Sequence, residues 1–208
     1  DILLKNPNLV ATITETTLNH IIKQGKYKGD SCLFWLCASS EGRKVLSKHQ
    51  YLIDQISETS LNQLIEKGNR KGQSAALGLC STSIGRKILA ENPKLAEKLN
   101  ETTLNHIVDE GKNKGESAIF WLCSTPTGRE ILAGNPNIIT KISETSWSHI
   151  FTEWRDRKIT QHQFSKFNPR QNKIRIFAAI MKLSHFFKSR RNNVAHNARH
   201  RIQAWLLR

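Results

Sequence analysis

Cys37, Cys80 and Cys123 stand 43 residues apart in the 208-residue chain, and thiols so regularly spaced raise two kinds of chemistry, metal binding and disulfide formation. Zinc needs ligands paired at short spacing, and no such pairing is present. A disulfide needs alpha carbons within about 7 Å, whereas equivalent positions in neighbouring helical layers lie about 8–10 Å apart. Cys32 sits five residues before Cys37, and its counterparts Ala75 and Ala118 mark a slot for a small side chain. The thiols therefore read as buried apolar groups in a reducing intracellular compartment. Catalytic patterns are missing as well: there is no Ser/His/Asp order, no glycine-rich loop ending in Lys-Ser and no His-Glu-x-x-His. His20, His106 and His149 recur at one slot with Gln63 between them, as scaffold residues do, and His185, His196 and His200 have no paired carboxylate. The expectation is a non-enzymatic segment with no catalytic residue, no metal and no cofactor, a catalytic domain elsewhere in a longer protein remaining open.

What remains is chemistry of recognition. Asn19, Asn62 and Asn105 recur, and an amide offers a donor and an acceptor together. Lys26 and Lys28, Arg70 and Lys71, and Lys112 and Lys114 recur between pairs of glycines just before a helix start, a setting that suits phosphate. Asp30 and Glu116 follow at once, which favours a merely solvated loop instead. Trp35 and Trp121 share a slot that holds Gly78 in the middle unit, so either a neighbour repacks there or a small pocket opens. Arg43, Arg86 and Arg129 each follow a glycine, and a pairing with Glu58, Glu101 or Glu144 of the next unit is expected.

These residues are positioned by a repeat. Glu15-Thr16, Glu58-Thr59, Glu101-Thr102 and Glu144-Thr145 step by 43, and so do Gly42-Arg43, Gly85-Arg86 and Gly128-Arg129. In the third unit Asn100 caps a helix carrying Leu104, Ile107 and Val108, with Gly111 at its left-handed stop. Ser117 opens the apolar run Ile119-Phe120-Trp121-Leu122-Cys123, the central buried helix. Thr125-Pro126 reads as N-cap and first residue of the next helix, and Asn135-Pro136 breaks it and starts a brief one. Nothing alternates with period two, so strands are not indicated. The fold class is all-α: an α-solenoid of 43-residue, three-helix repeats with a C-terminal helical cap. Residues 1–150 are the array, about three and a half units starting mid-repeat, and 151–208 a divergent capping repeat with basic amphipathic helices. There is no initiator Met, which reads as a fragment of a longer protein.

Three helices in about 43 residues resemble an armadillo or HEAT-type unit over residues 1–150. In armadillo proteins an asparagine ladder holds an extended peptide, so the resemblance implies a protein partner on the concave face, contacted by Asn19, Asn62, Asn105, Trp35 and Trp121. The armadillo tryptophan one turn before the asparagine is missing, which favours the alternative that each asparagine ties one unit to the next. The Gly-x-Ser-x-Leu-Phe-Trp-Leu-Cys cadence also looks like repeats in secreted effectors of intracellular bacteria, implying delivery to a host cytosol or nucleus.

Charge supplies the alternative function. The net charge is +15, and residues 151–208 hold 14 basic residues against 2 acidic. Arg190, Arg191, Arg199 and Arg201 crowd the end with no carboxylate nearby, which points to nucleic acid or an anionic, phosphoinositide-bearing membrane. Two helices are expected here, one with Ile176, Ile180, Leu183 and Phe187 on one stripe. No run of apolar residues is long enough to span a membrane, and no small-molecule substrate is expected.

Overall fold

A computed structural model describes residues 2–111 and 113–156, which fall within a compact part of the chain covering residues 1–158. The expected cap and amphipathic helices beyond residue 156, with Arg190, Arg191, Arg199 and Arg201, lie outside the described residues, as does Lys112.

The described residues form fifteen helices, packed against one another, and no strand. They are α1 (Ile2–Lys5), α2 (Pro7–Ala11), α3 (Glu15–Asn19), α4 (Cys32–Ala38), α5 (Ser40–Lys48), α6 (Gln50–Asp54), α7 (Glu58–Asn62) and α8 (Ala75–Cys80). Then follow α9 (Ser83–Glu91), α10 (Pro93–Glu97), α11 (Glu101–Asn105), α12 (Ala118–Ser124), α13 (Pro126–Gly134), α14 (Pro136–Thr140) and α15 (Glu144–Asp156). Each 43-residue period thus holds four short helices rather than the expected three, because a break at His49, Asn92 or Asn135 makes a separate element of the last turn, with proline following in the latter two. Helices of five to nine residues are unstable alone, so burial must hold them.

Their starts are set locally. Ser31, Ser74 and Ser117 each accept the amide hydrogen three residues on, at 3.0, 3.1 and 3.2 Å, and so cap α4, α8 and α12. Ser39, Thr82 and Thr125 cap α5, α9 and α13 through the amides of Gly42, Gly85 and Gly128. A Cβ on any of these three glycines would collide with the backbone of Leu36, Leu79 or Leu122 in the helix before. The glycine therefore lets the chain turn sharply between two helices, which accounts for its place inside a helix.

One element differs from expectation. The first helix of each period ends at Asn19, Asn62 or Asn105 instead of running to the glycine. Ile22, Ile65 and Val108 lie outside the helix; the amide of each donates to the carbonyl of Asp30, Gln73 or Glu116, and its carbonyl accepts from the amide of Gly29, Gly72 or Gly115. β-Branched residues here are poor helix formers, and the closed loop satisfies their backbone groups instead. Gly25, Gly29, Gly68, Gly72, Gly111 and Gly115 all have φ between 77° and 94°, so the loop conformation requires glycine at both ends. In the fourth period the corresponding positions are Trp154 and Lys158, and the helix α15 runs on for 13 residues.

The core is one continuous cluster drawn mainly from α4, α8 and α12 and the helices beside them, including Leu33, Leu36, Leu46, Leu79, Leu89, Phe120 and Leu122. Full burial of such side chains is worth roughly 1.5–3 kcal/mol each.

Candidate binding surface

Most recurring polar residues are engaged within the protein. The amide nitrogen of Asn62 donates to the Glu58 carbonyl at 2.8 Å and to the Lys98 carbonyl at 2.7 Å, while its oxygen accepts the Asn100 amide at 3.1 Å. Asn19 does the same with Glu15, Gln55 and Ser57, and Asn105 with Glu101, Lys141 and Ser143. The backbone carbonyl of each asparagine takes a further bond from the next period, from the hydroxyl of Ser60, Thr103 or Ser146. Both amide hydrogens are committed, so each of the three asparagines, expected as a partner contact, ties one period to the next.

The arginines also differ from expectation. Arg43, Arg86 and Arg129 donate to the Cys37, Cys80 and Cys123 carbonyls at 2.6, 2.7 and 3.1 Å, each within its own period. They satisfy carbonyls at the end of the preceding helix, where no intrahelical donor remains, instead of pairing with Glu58, Glu101 or Glu144. The three cysteines are buried and free. Burial pushes the Cys80 and Cys123 thiols up to about 12 and the Cys37 thiol higher still.

The aromatic slot is decided by backbone packing. A Cβ on Gly78 would lie 2.8 Å from the Cys37 carbonyl oxygen, so α8 approaches α4 too closely for an indole and no gap opens there. Trp121 is half-buried and donates to Glu116 at 3.0 Å. Trp35 is exposed; Arg70 from the next period lies over its ring at 4.6 Å, and an open cavity of about 480 Å³ adjoins it, lined also by His20, Ile22, Asp30 and Cys32.

The glycine-bounded loops carry the remaining recurring basic side chains. They adjoin one another: a Cβ on Gly111 would meet the Asn69 carbonyl at 3.0 Å. Lys28 pairs with Glu66 of the next period at 2.6 Å, and Lys71 with Glu110 at 3.2 Å. Two of the six residues of the expected phosphate ladder are thus neutralised; Arg70 lies over Trp35, Lys26 lies over the Tyr27 ring at 5.6 Å, and Lys114 is exposed. At the tips, the residues between the framework positions change from period to period: Tyr27, Arg70, Asn113. Of these three, Arg70 was legible in the sequence as part of a basic ladder, whereas Tyr27 and Asn113 are marked only by variation between constant glycines.

Among the described residues no group of histidines, cysteines or carboxylates is arranged to hold a metal ion, and no helix is long and apolar enough to cross a membrane. Comparison with protein families, with curated proteins and with solved structures gives no match to this chain.

Proposed function

We propose that the chain is a segment of an α-solenoid, built on the 43-residue repeat and armadillo-like in its general plan, that binds an extended stretch of a protein partner. The observation carrying this reading is the division of labour between positions. Residues that recur, such as Asn62, Arg86, Ser74 and Gly85, are committed to capping and to ties between periods. The varying tips Tyr27, Arg70 and Asn113 sit on adjoining loops, and of the three Arg70 also lies against Trp35 of the period before. Stacked repeats present such positions as a row, and a row suits an extended ligand. Trp35, under the Arg70 guanidinium, and Trp121, bonded to Glu116 beside the third loop, add contact area.

The test is affinity capture with the whole chain and with a Y27A/R70A/N113A variant. The partner should be retained by the first, lost from the second, and little affected between about 50 and 200 mM salt, with unchanged circular dichroism for the variant. Polyanion binding is the second reading, carried by the charge of residues 151–208. It predicts instead a loss of a thousandfold or so over that salt range where six or more phosphates are contacted, together with loss of binding to anionic vesicles or nucleic acid in an R190E/R191E/R199E/R201E variant.

A further inference from the structure

Four of the large apolar side chains exposed in the structure occupy slots that are covered, wholly or in part, wherever another period follows the pattern. Ile2 is 70% exposed, while its counterparts Val45, Ile88 and Ile131 are 1–2% exposed. Leu9 is 45% exposed, against 0–2% for Leu52, Leu95 and Ile138. Ile22 is 38% exposed, against 2% for Ile65 and 1% for Val108. Trp35 is exposed where Trp121 is half-buried, and Cys32 is half-buried where Ala75 and Ala118 are buried. All five belong to α1, α2, the loop before α4 and α4 itself, and Ile22, Cys32 and Trp35 share the cavity.

The polar groups of this face repeat the pattern. In later periods the hydroxyls of Ser60 and Thr103 each donate to the carbonyl of the preceding asparagine at 2.8 Å. Thr17 occupies the same slot, is exposed, and has its hydroxyl only against that of Thr14 at 3.1 Å. The Thr12 carbonyl and the Thr14 amide stand where Gln55 and Ser57, or Lys98 and Asn100, meet an asparagine side chain. One face therefore combines an apolar surface with the receiving half of an asparagine tie.

We propose that this face is an interface for a further unit of the same kind, joined ahead of Ile2 and presenting an asparagine in the slot of Asn62. The inference rests on the repeat reading above. α1 and α2 match the end of α5 and all of α6 in register, so this face corresponds to the one that α5 and α6 turn to the period before them. By the pattern of α8 against α4, the cover of Ile22, Cys32 and Trp35 would correspond to residues 58–86. A second copy of this chain is a poorer occupant: its last period has Ser148 at the asparagine slot, and α15 continues where the others form a loop.

The test joins a copy of residues 58–86, with C80A in the copy, directly ahead of Asp1 of the whole chain. Cys32 is the reporter, read by mass spectrometry after brief exposure to a maleimide. Labelling of Cys32 should slow at least tenfold in the extended chain, and N62A within the added segment should restore most of the reactivity. Unchanged labelling of Cys32 overturns the proposal, whether the added segment folds elsewhere or stays unfolded. Protection of Cys32 in the unextended chain that grows with protein concentration also overturns it, in favour of a second copy. Should N62A in the chain's own second period lower stability while the extension leaves Cys32 exposed, the repeat reading stands and this proposal alone falls.

Discussion

The side chain of Asn62 bonds the Lys98 carbonyl, 36 residues along the chain, at 2.7 Å, and accepts the Asn100 amide, so one amide closes the start of α11 against the end of α7. Thr103 completes the contact by donating to the Asn62 carbonyl at 2.8 Å. This is the third residue of a short helix reaching back to the last residue of another.

Replacing Asn62 with Ala leaves the buried ends of two periods without partners. An unsatisfied buried group costs about 1–3 kcal/mol, so N62A should lower stability by roughly 2–4 kcal/mol, read as a fall in denaturation midpoint at unchanged slope. N19A should cost less, because Asn19 is more exposed than Asn62.

Two glycine substitutions should act in opposite directions. In G85A the new methyl would strike the Leu79 backbone, and overpacking costs roughly 1–3 kcal/mol, with the upper end expected against backbone atoms. Gly134, the last residue of α13, has open space around its Cα and an ordinary helical φ. G134A should therefore be neutral or stabilising by up to about 1 kcal/mol, and thermal melts of the two variants would separate the cases.

Cys32 should be the thiol that labels rapidly in the native chain, while Cys37, Cys80 and Cys123 wait for unfolding. Mass spectrometry of briefly labelled protein reads this directly; fast labelling of Cys80 would contradict the buried arrangement.

Alkaline pH should destabilise the fold through the same thiols. In the folded chain the Cys80 thiol keeps its proton to about 12, while in the unfolded chain it loses it near its ordinary 9.0. Above that lower value the unfolded state binds fewer protons, so stability falls as pH rises towards the upper one. C80A should flatten the decline in denaturation midpoint between pH 9 and pH 11 relative to the parent chain.

The amino-acid sequence alone determined the 43-residue period, the all-helical class, the capping residues Ser117, Thr125 and Asn100, and the helix break before Pro136. Those features are local: a cap needs only a hydroxyl or amide three residues from a free amide hydrogen, and proline acts on its immediate neighbours. Tertiary structure alone decided where recurring polar side chains go. Asn105 looks the same in sequence whether it holds a ligand or the Lys141 carbonyl, because the partner is 36 residues away. It likewise turned Arg86 to the Cys80 carbonyl rather than to Glu101, and it closed the Gly78 slot by bringing α8 against the Cys37 carbonyl. The early end of α11 at Asn105 was also beyond local reading, since helix and closed loop satisfy the same backbone groups, and packing against the neighbouring period chooses between them.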